Sequence, residues 1–200
     1  MFFRSERLFL RPGWPEDWSE LFGRIADEQI VRNLASAPWP YGPGDAQDFV
    51  ARPQDRRFPH FFITLPRMAS AGGQDGNELI GCIGLHERPE EPGGEPELGY
   101  WIARRRWGQG YATEAGRAVL AIARTLGHRR VTAGHFADNP ASGRVLAKLG
   151  FRPTGAIEPR FSMARGEAAP ARIHVLELAG ASGGDDDVSG GDKPPMRRAA

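Results

Sequence analysis

Cross-linking residues and long apolar runs are both scarce in this sequence, and each shortage excludes something. Among 200 residues there is one cysteine, Cys82, so an intrachain disulfide cannot form. It lies in the apolar run Leu79-Ile80-Gly81-Cys82-Ile83 and reads as a small buried hydrophobe rather than a nucleophile. No stretch approaches the ~20 apolar residues a membrane-spanning helix needs. The opening Met1-Phe2-Phe3-Arg4-Ser5-Glu6-Arg7 is charged too early and too often for a signal peptide. The expectation is a cytoplasmic chain with no membrane partner. An excess of charge is also lacking, with 26 basic residues against 25 acidic and a formal charge of +1. A dedicated nucleic-acid binder needs a basic surplus, so no specific nucleic-acid partner is expected. There is no internal repeat.

What is present fits one ordinary globular domain: 40% hydrophobic and 26% charged residues, in a chain long enough for a sizeable core. The end differs in kind. From Gly180 to Ala200 the chain reads GASGGDDDVSGGDKPPMRRAA, which has almost nothing to bury. The expected organisation is a folded domain over 1–179 and a disordered tail over 180–200.

Within the body, Arg7–Arg11 alternates as a first strand and Pro12 stops it. Short helices are expected near Pro15–Arg24, Asp27–Leu34 (capped by Asp27) and Asp45–Ala51, with a stiff aromatic loop at Ala37–Gly44 before the third. Phe58–Leu65 and Glu78–His86 read as strands around a Gly/Ala/Ser-rich hairpin loop at Met68–Asn77. A Pro/Gly loop at Arg88–Pro96 leads to a strand over Glu97–Ile102. The spacing of Ala115, Val119, Ile122 and Leu126 predicts a helix over Tyr111–Leu126. Arg129–Ala133 is a strand, Pro140–Lys148 a helix, and Phe151–Ile157 and Arg172–Leu178 are strands. This order implies an α/β (α+β) fold: a mixed, mostly antiparallel sheet of about seven strands with helices on its faces.

Two motifs carry chemistry. In the first, a strand ending at Ile102 runs through Ala103-Arg104-Arg105-Arg106-Trp107-Gly108-Gln109-Gly110 directly into the helix opening at Tyr111-Ala112. The first turn of a helix leaves backbone N–H groups without partners, and with the helix dipole they attract anions. Gly108 and Gly110 lack a Cβ, so phosphate oxygens can approach that backbone closely. Arg104, Arg105 and Arg106 add positive charge nearby. This chemistry suits a pyrophosphate, although a G-x-G before a helix is also an ordinary turn. It is not a P-loop, since no Gly-Lys-Ser/Thr follows, and Thr113 stands where a dinucleotide fingerprint needs its third glycine. The second motif is Asp138-Asn139-Pro140-Ala141-Ser142-Gly143-Arg144-Val145-Leu146-Ala147-Lys148-Leu149-Gly150-Phe151. Asn139 is a natural N-cap, Pro140 suits the first helical position, and Gly150 suits the left-handed stop.

Together these pieces resemble the GNAT superfamily of N-acetyltransferases. Arg105-Arg106-Trp107-Gly108-Gln109-Gly110 is similar to its Q/R-x-x-G-x-G/A signature. The runs Gly99-Tyr100-Trp101-Ile102 and Trp107–Ala115, Asn139-x-x-Ser142 before Lys148–Phe151, the opening Ser5-Glu6-Arg7-Leu8-x-Leu10-Arg11, and the Trp39-Pro40-Tyr41 loop resemble the RimJ/RimL-like branch, the ribosomal-protein N-terminal acetyltransferases. The resemblance spans roughly Ser5 to Leu178. It implies the GNAT fold and acetyl-CoA as co-substrate without a metal. The acetyl-CoA would lie between the strand ending at Ile102 and the strand near Val131–Gly134. It implies pyrophosphate on the amides of about Arg105 to Ala112, including Trp107, Gly108, Gln109, Gly110 and Tyr111, and pantetheine along Trp101, Ile102 and Ala103. Asn139 would face the pantetheine and Ser142 the sulfur, while Arg144 or Lys148 could reach the adenosine 3′-phosphate.

The acceptor amine must be neutral to attack. Glu97 is the first candidate base, acting through water, with a solvent-facing strand carboxylate as its alternative; His86 and His135 also end strands. Many GNAT enzymes carry a Tyr seven residues after the Asn, where this chain has Leu146, so the acid role moves to Ser142 or water. The expected partner is a primary amine, either a protein N-terminus or a small molecule such as an antibiotic or polyamine. The acceptor side is expected from loops at Ala37–Gly44 and Ser162–Ala171. A non-catalytic acyl-CoA-binding module is the alternative of another class, and the chain is expected to be a monomer or homodimer.

Overall fold

A computed structural model describes residues 1–66, 77–87 and 94–178. The tail expected over 180–200 and most of the loops expected at 68–77 and 88–96 lie outside the described residues. Strands β1 (Phe3–Arg4), β2 (Phe9–Arg11), β3 (His60–Leu65), β4 (Glu78–His86), β5 (Glu97–Ile102), β6 (Arg130–Phe136), β7 (Arg152–Ser162) and β8 (Glu167–Glu177) form one sheet in the order β1-β2-β3-β4-β5-β6-β8-β7. Every neighbouring pair is antiparallel except β5 with β6. The expected α/β fold with a mostly antiparallel sheet is observed, with eight strands rather than about seven.

Alternation along the strands sends apolar side chains to two cores. Helices α4 (Tyr111–Thr125) and α5 (Pro140–Lys148) cover one face, where Phe61, Ile63, Leu98, Ile102, Val119 and Leu146 meet. Helices α1 (Trp18–Ile25), α2 (Glu28–Val31) and α3 (Pro43–Val50) cover the other over Phe62, Leu79, Cys82 and Trp101. Strand β4 reaches both cores by alternation, and a one-residue slip in its register resets that alternation: Ile63 pairs with Gly81 and Thr64 with Leu79, leaving Ile80 bulged. Ile80 and Ile83 therefore face α4, whereas Leu79 and Cys82 face the short helices. Cys82 is buried and free, and burial pushes its thiol up to about 12, as suits a packing residue.

Beside the bulge, a Cβ on Gly81 would lie 2.3 Å from the Trp101 carbonyl oxygen. That contact is with backbone, so the sheet must move to relieve it. Gly81→Ala is expected to cost about 3 kcal/mol, the upper range of overpacking, and to lower the melting temperature by roughly 6–12 °C in thermal denaturation.

The helices carry local signals that explain their ends. Asp27 accepts from the Gln29 amide and caps α2. Asn139 Oδ1 accepts from Ser142 N at 3.2 Å, Pro140 opens α5, and Gly150 turns at φ 89° after it. A large correction concerns the last two strands. Residues 167–171, expected in a loop, belong to β8, and β7 runs on to Ser162 rather than ending at Ile157. Pro159 lies on the edge strand and faces Pro170, which lies just past the last β6 partner of β8, Ala171. A missing N–H disrupts no ladder at such positions, so these prolines do not end the strands.

Candidate active site

The parallel neighbours β5 and β6 pair at a single position, Glu97 with Thr132, and the Thr132 amide donates to the Pro96 carbonyl at 2.9 Å. Beyond it the strands part. Trp101 and Ile102 pair only on their other side, with Cys82 and Gly81 of β4. The edge of β5 facing β6 thus has no strand partner there, and an extended ligand could run along it beside the Ile102 carbonyl, which accepts from the Trp107 indole. This is the V-shaped gap the resemblance implies.

At one mouth of the gap the chain leaves β5 through Ala103, makes a 3-10 turn at Arg104–Arg106, and enters α4. Gly108 (φ 74°) and Gly110 (φ 82°) take left-handed backbone that side chains rarely adopt. Among the described residues, no atom beyond its chain neighbours lies within 4 Å of where a Cβ on Gly108 would stand. The helix leaves the amides of Tyr111, Ala112 and Thr113 without a carbonyl one turn earlier. An open glycine turn and a set of N–H donors fit the pyrophosphate of a coenzyme A thioester.

The neighbouring arginines behave differently from the expectation that all three add charge to this turn. Arg106 is bonded to Glu78 of β4, and Arg104 reaches Asp27 at 3.5 Å. Both pairs line a cleft of about 320 Å³ beneath α1 rather than the glycine turn. Arg105 and Arg144 are exposed. Trp107 is half-exposed, and its indole N–H donates to the Ile102 carbonyl at 2.6 Å, tying the turn to the end of β5. Gln109 donates to the Arg105 carbonyl at 3.2 Å.

Inside the gap, Ser142 on the first turn of α5 meets a residue that sequence reasoning passed over. The Tyr100 hydroxyl lies 2.7 Å from Ser142 Oγ and 3.3 Å from the Ser142 carbonyl. Tyr100 shares the α4-facing side of β5 with Leu98 and Ile102, and burial pushes its phenol up to about 12 against the opposing Ser142 hydrogen bond. A tyrosine on an otherwise apolar strand face needs a partner for its hydroxyl, a signal that was available in the alternation of β5. Leu146, at the position where the resemblance led to an expected Tyr, is fully buried in the core.

Glu97 points to the opposite face. It is 4% exposed, which removes the solvent-facing alternative. Arg160 of β7 grips both of its oxygens, Nη2 to Oε2 at 3.1 Å, and His86 Nε2 stands 4.0 Å from Oε2. Glycines clear this floor: a Cβ on Gly134 would meet the Arg160 guanidinium at 2.9 Å, and one on Gly99 would meet the His86 ring at 2.9 Å. Arg160 is half-buried and arrives from a strand 63 residues away, so no local pattern could have revealed it. His135 is corrected as a candidate base: it follows Gly134 on β6 and therefore faces the other way. It lies against α5, where a Cβ on Gly143 would stand 2.8 Å from its Nε2, and 5.2 Å from the His174 ring.

The hairpin tip between β7 and β8 closes this face. Ser162 Oγ donates to the Leu34 carbonyl, and the Met163 amide to Ala35, just before the Ala37–Gly44 loop with its cis Trp39–Pro40 bond. Arg165 grips Asp138 through both terminal nitrogens at 2.9 Å, and Arg32 joins at 3.1 Å. These contacts, led by the Arg165 hydrogen bond, hold the Asp138 carboxyl below its usual range. They fix the residue preceding the α5 cap. An open groove of about 500 Å³ is lined by Thr132, the β6 partner of Glu97, and by Thr154, Glu158 and Ile173 among others; Glu97 itself is not part of its lining. Among the described residues no group of three or more His, Cys, Asp or Glu is placed to hold a metal ion, and no helix is long and apolar enough to cross a membrane.

Comparison with known proteins agrees with this geometry. Residues 7–152 match the acetyltransferase (GNAT) domain. The uncharacterized N-acetyltransferase YoaA of Bacillus subtilis (strain 168) is 30% identical over 159 residues, 76% of this chain and 84% of its own. A GNAT-family acetyltransferase from Bacillus anthracis shares the fold with a TM-score of 0.72 at 22% identity, over 88% of this chain and 98% of its own. RimL, the ribosomal L7/L12 alpha-N-protein acetyltransferase solved with coenzyme A, does so with a TM-score of 0.69 at 17% identity, over 89% and 98%. The fold and the gap define an acyltransferase that works from a coenzyme A thioester. The chain belongs to the GNAT acetyltransferase family, and it is an N-acetyltransferase with acetyl-CoA as co-substrate.

Proposed function

We propose that this N-acetyltransferase acts on the α-amine of a peptide or protein N-terminus, as in the RimJ/RimL-like branch. The observation carrying this reading is the split between the two sides of the site. The donor gap contains the Tyr100–Ser142 pair, while an uncovered groove over β6, β8 and β7 runs past Thr132, the β6 partner of Glu97. An open groove admits a chain end, and its threonines and strand edges offer hydrogen bonds to peptide backbone. An α-amine, with a pKa near ~8, is partly neutral at working pH, so it needs less deprotonation than a lysine amine near ~10.

In this reading Gly108, Gly110 and the first-turn amides of α4 hold the pyrophosphate, and Trp101–Ala103 align the pantetheine. Asn139 keeps the first turn of α5 in place through its cap. The thioester supplies an activated acetyl group, so direct attack needs positioning more than a covalent intermediate. Glu97, with His86 at its rim, receives the proton leaving the amine through water. Ser142 donates its hydroxyl to the developing thiolate, and Tyr100 positions that hydroxyl. The folded domain over 1–179 suffices for this, in the cytoplasm.

An acetyl-CoA consumption screen tests the acceptor. Peptide N-termini are expected to exceed polyamines and aminoglycosides in kcat/KM by at least about tenfold, roughly 1.4 kcal/mol of transition-state discrimination. Equal or reversed selectivity would assign a small-molecule acceptor. Titration calorimetry with EDTA present should show acetyl-CoA binding. Binding without turnover of any amine would instead describe an acyl-CoA-binding module.

A further inference from the structure

The opening segment, whose sequence resembles the family but which has no part in the reaction as described, comes back over the phosphate turn. Glu114, on the first turn of α4, accepts from Ser5 Oγ at 2.7 Å, from the Arg7 amide at 2.7 Å and from Arg7 Nε at 2.7 Å. Arg7 Nη1 also donates to the Gln109 carbonyl at 3.2 Å, and its guanidinium lies over the Tyr111 ring at 4.6 Å. Its Nη2 stands 3.5 Å from where a Cβ on Gly110 would be. These partners are more than 100 residues apart in the chain.

We infer that Arg7 is a positioning and charge-compensating residue for the phosphate turn, fixing the Gln109–Gly110 peptide and neutralising Glu114 beside the bound pyrophosphate. Two physical reasons support it. The peptide unit is planar and trans, so holding the Gln109 carbonyl on the Arg7 side fixes the Gly110 N–H pointing the opposite way. A carboxylate one turn from a pyrophosphate would repel it, and that repulsion is severe unless a cation sits on the carboxylate. Burial works against the Glu114 charge, but the Ser5 hydroxyl and the Arg7 amide and guanidinium outweigh it and keep the carboxyl below its usual range. The negative charge is therefore permanent near neutrality, and its compensation must be permanent too.

The inference rests on the reading of the glycine turn as the pyrophosphate site, and the test separates the two. Calorimetry with coenzyme A on Arg7→Ala should show about tenfold weaker binding, from loss of one charge partner and one turn contact. The double variant Arg7→Ala/Glu114→Gln should recover to within about threefold of the parent, because the unpaired anion is gone. With acetyl-pantetheine as donor, which lacks the pyrophosphate, kcat/KM should be the same for the parent and Arg7→Ala. Unchanged coenzyme A affinity in Arg7→Ala, no recovery in the double variant, or an equal loss with acetyl-pantetheine would overturn the inference. A Gly110→Glu variant that also bound coenzyme A normally would instead remove the reading of the turn itself.

Discussion

Gly110→Glu is expected to bind acetyl-CoA at least about 100-fold more weakly than the parent, a loss of roughly 2.8 kcal/mol. Gly110 caps α4 with φ 82°, and the Arg7 guanidinium lies 3.5 Å from where its Cβ would stand. A glutamate there brings a side chain to a place where backbone must meet phosphate. Its carboxylate also stands at the helix N-terminus, where the same dipole that attracts the pyrophosphate would bind it as an internal competitor. The left-handed conformation costs a non-glycine residue about 1–2 kcal/mol, so the melting temperature should fall by only a few degrees. Gly110→Ala pays that backbone cost without adding charge and should lose much less affinity. Calorimetry on both variants checks this, and wild-type affinity in Gly110→Glu would mean that the pyrophosphate lies elsewhere.

Ser142→Ala is expected to behave in the opposite way: acetyl-CoA affinity within about tenfold of the parent, and kcat lower on the order of 10²-fold. The substitution keeps the Ser142 amide, and with it the Asn139 cap at 3.2 Å. What it removes is the hydroxyl 2.7 Å from Tyr100. A group that assists the departing thiolate acts in the transition state, so its loss appears in kcat. Tyr100→Phe should lower kcat by about tenfold, since Ser142 then keeps its hydroxyl without its guide. The double variant should be no slower than Ser142→Ala alone, because the tyrosine acts only through the serine. The Tyr100 phenol is pushed up to about 12, so the pair keeps its protons across the working range and its contribution should not change with pH below about 10. Additive losses in the double variant would show that Tyr100 acts on its own. Unchanged kcat in Ser142→Ala, with chemistry rate-limiting, would leave the serine as a helix residue and water as the acid.

Much of this protein was legible one segment at a time. The bounds of α5 and the start of α4 follow from Asn139, Pro140, Gly150 and the Gly108–Gly110 turn, since each signal acts within one helical turn of its effect. The pairing of a glycine turn with an Asn-x-x-Ser helix pointed to the donor side through its resemblance to the GNAT superfamily. The β7–β8 hairpin was not legible. Strands were expected only over Phe151–Ile157 and Arg172–Leu178, and whether Pro159 and Pro170 interrupt longer ones depends on which neighbour each N–H would have met. That neighbour is known only once the sheet is assembled.

The local chemistry of the site was thus set by the sequence: amides at a helix start, glycines with room above them, a serine on a capped first turn, a carboxylate on a strand. Which groups meet was decided by tertiary structure alone. Arg160 on Glu97, Tyr100 on Ser142, Arg165 on Asp138 and Arg7 on Glu114 each join residues 27 to 107 apart. Hydrogen bonds and ion pairs act over a few ångströms, and only the folding of the chain brings such partners within that range.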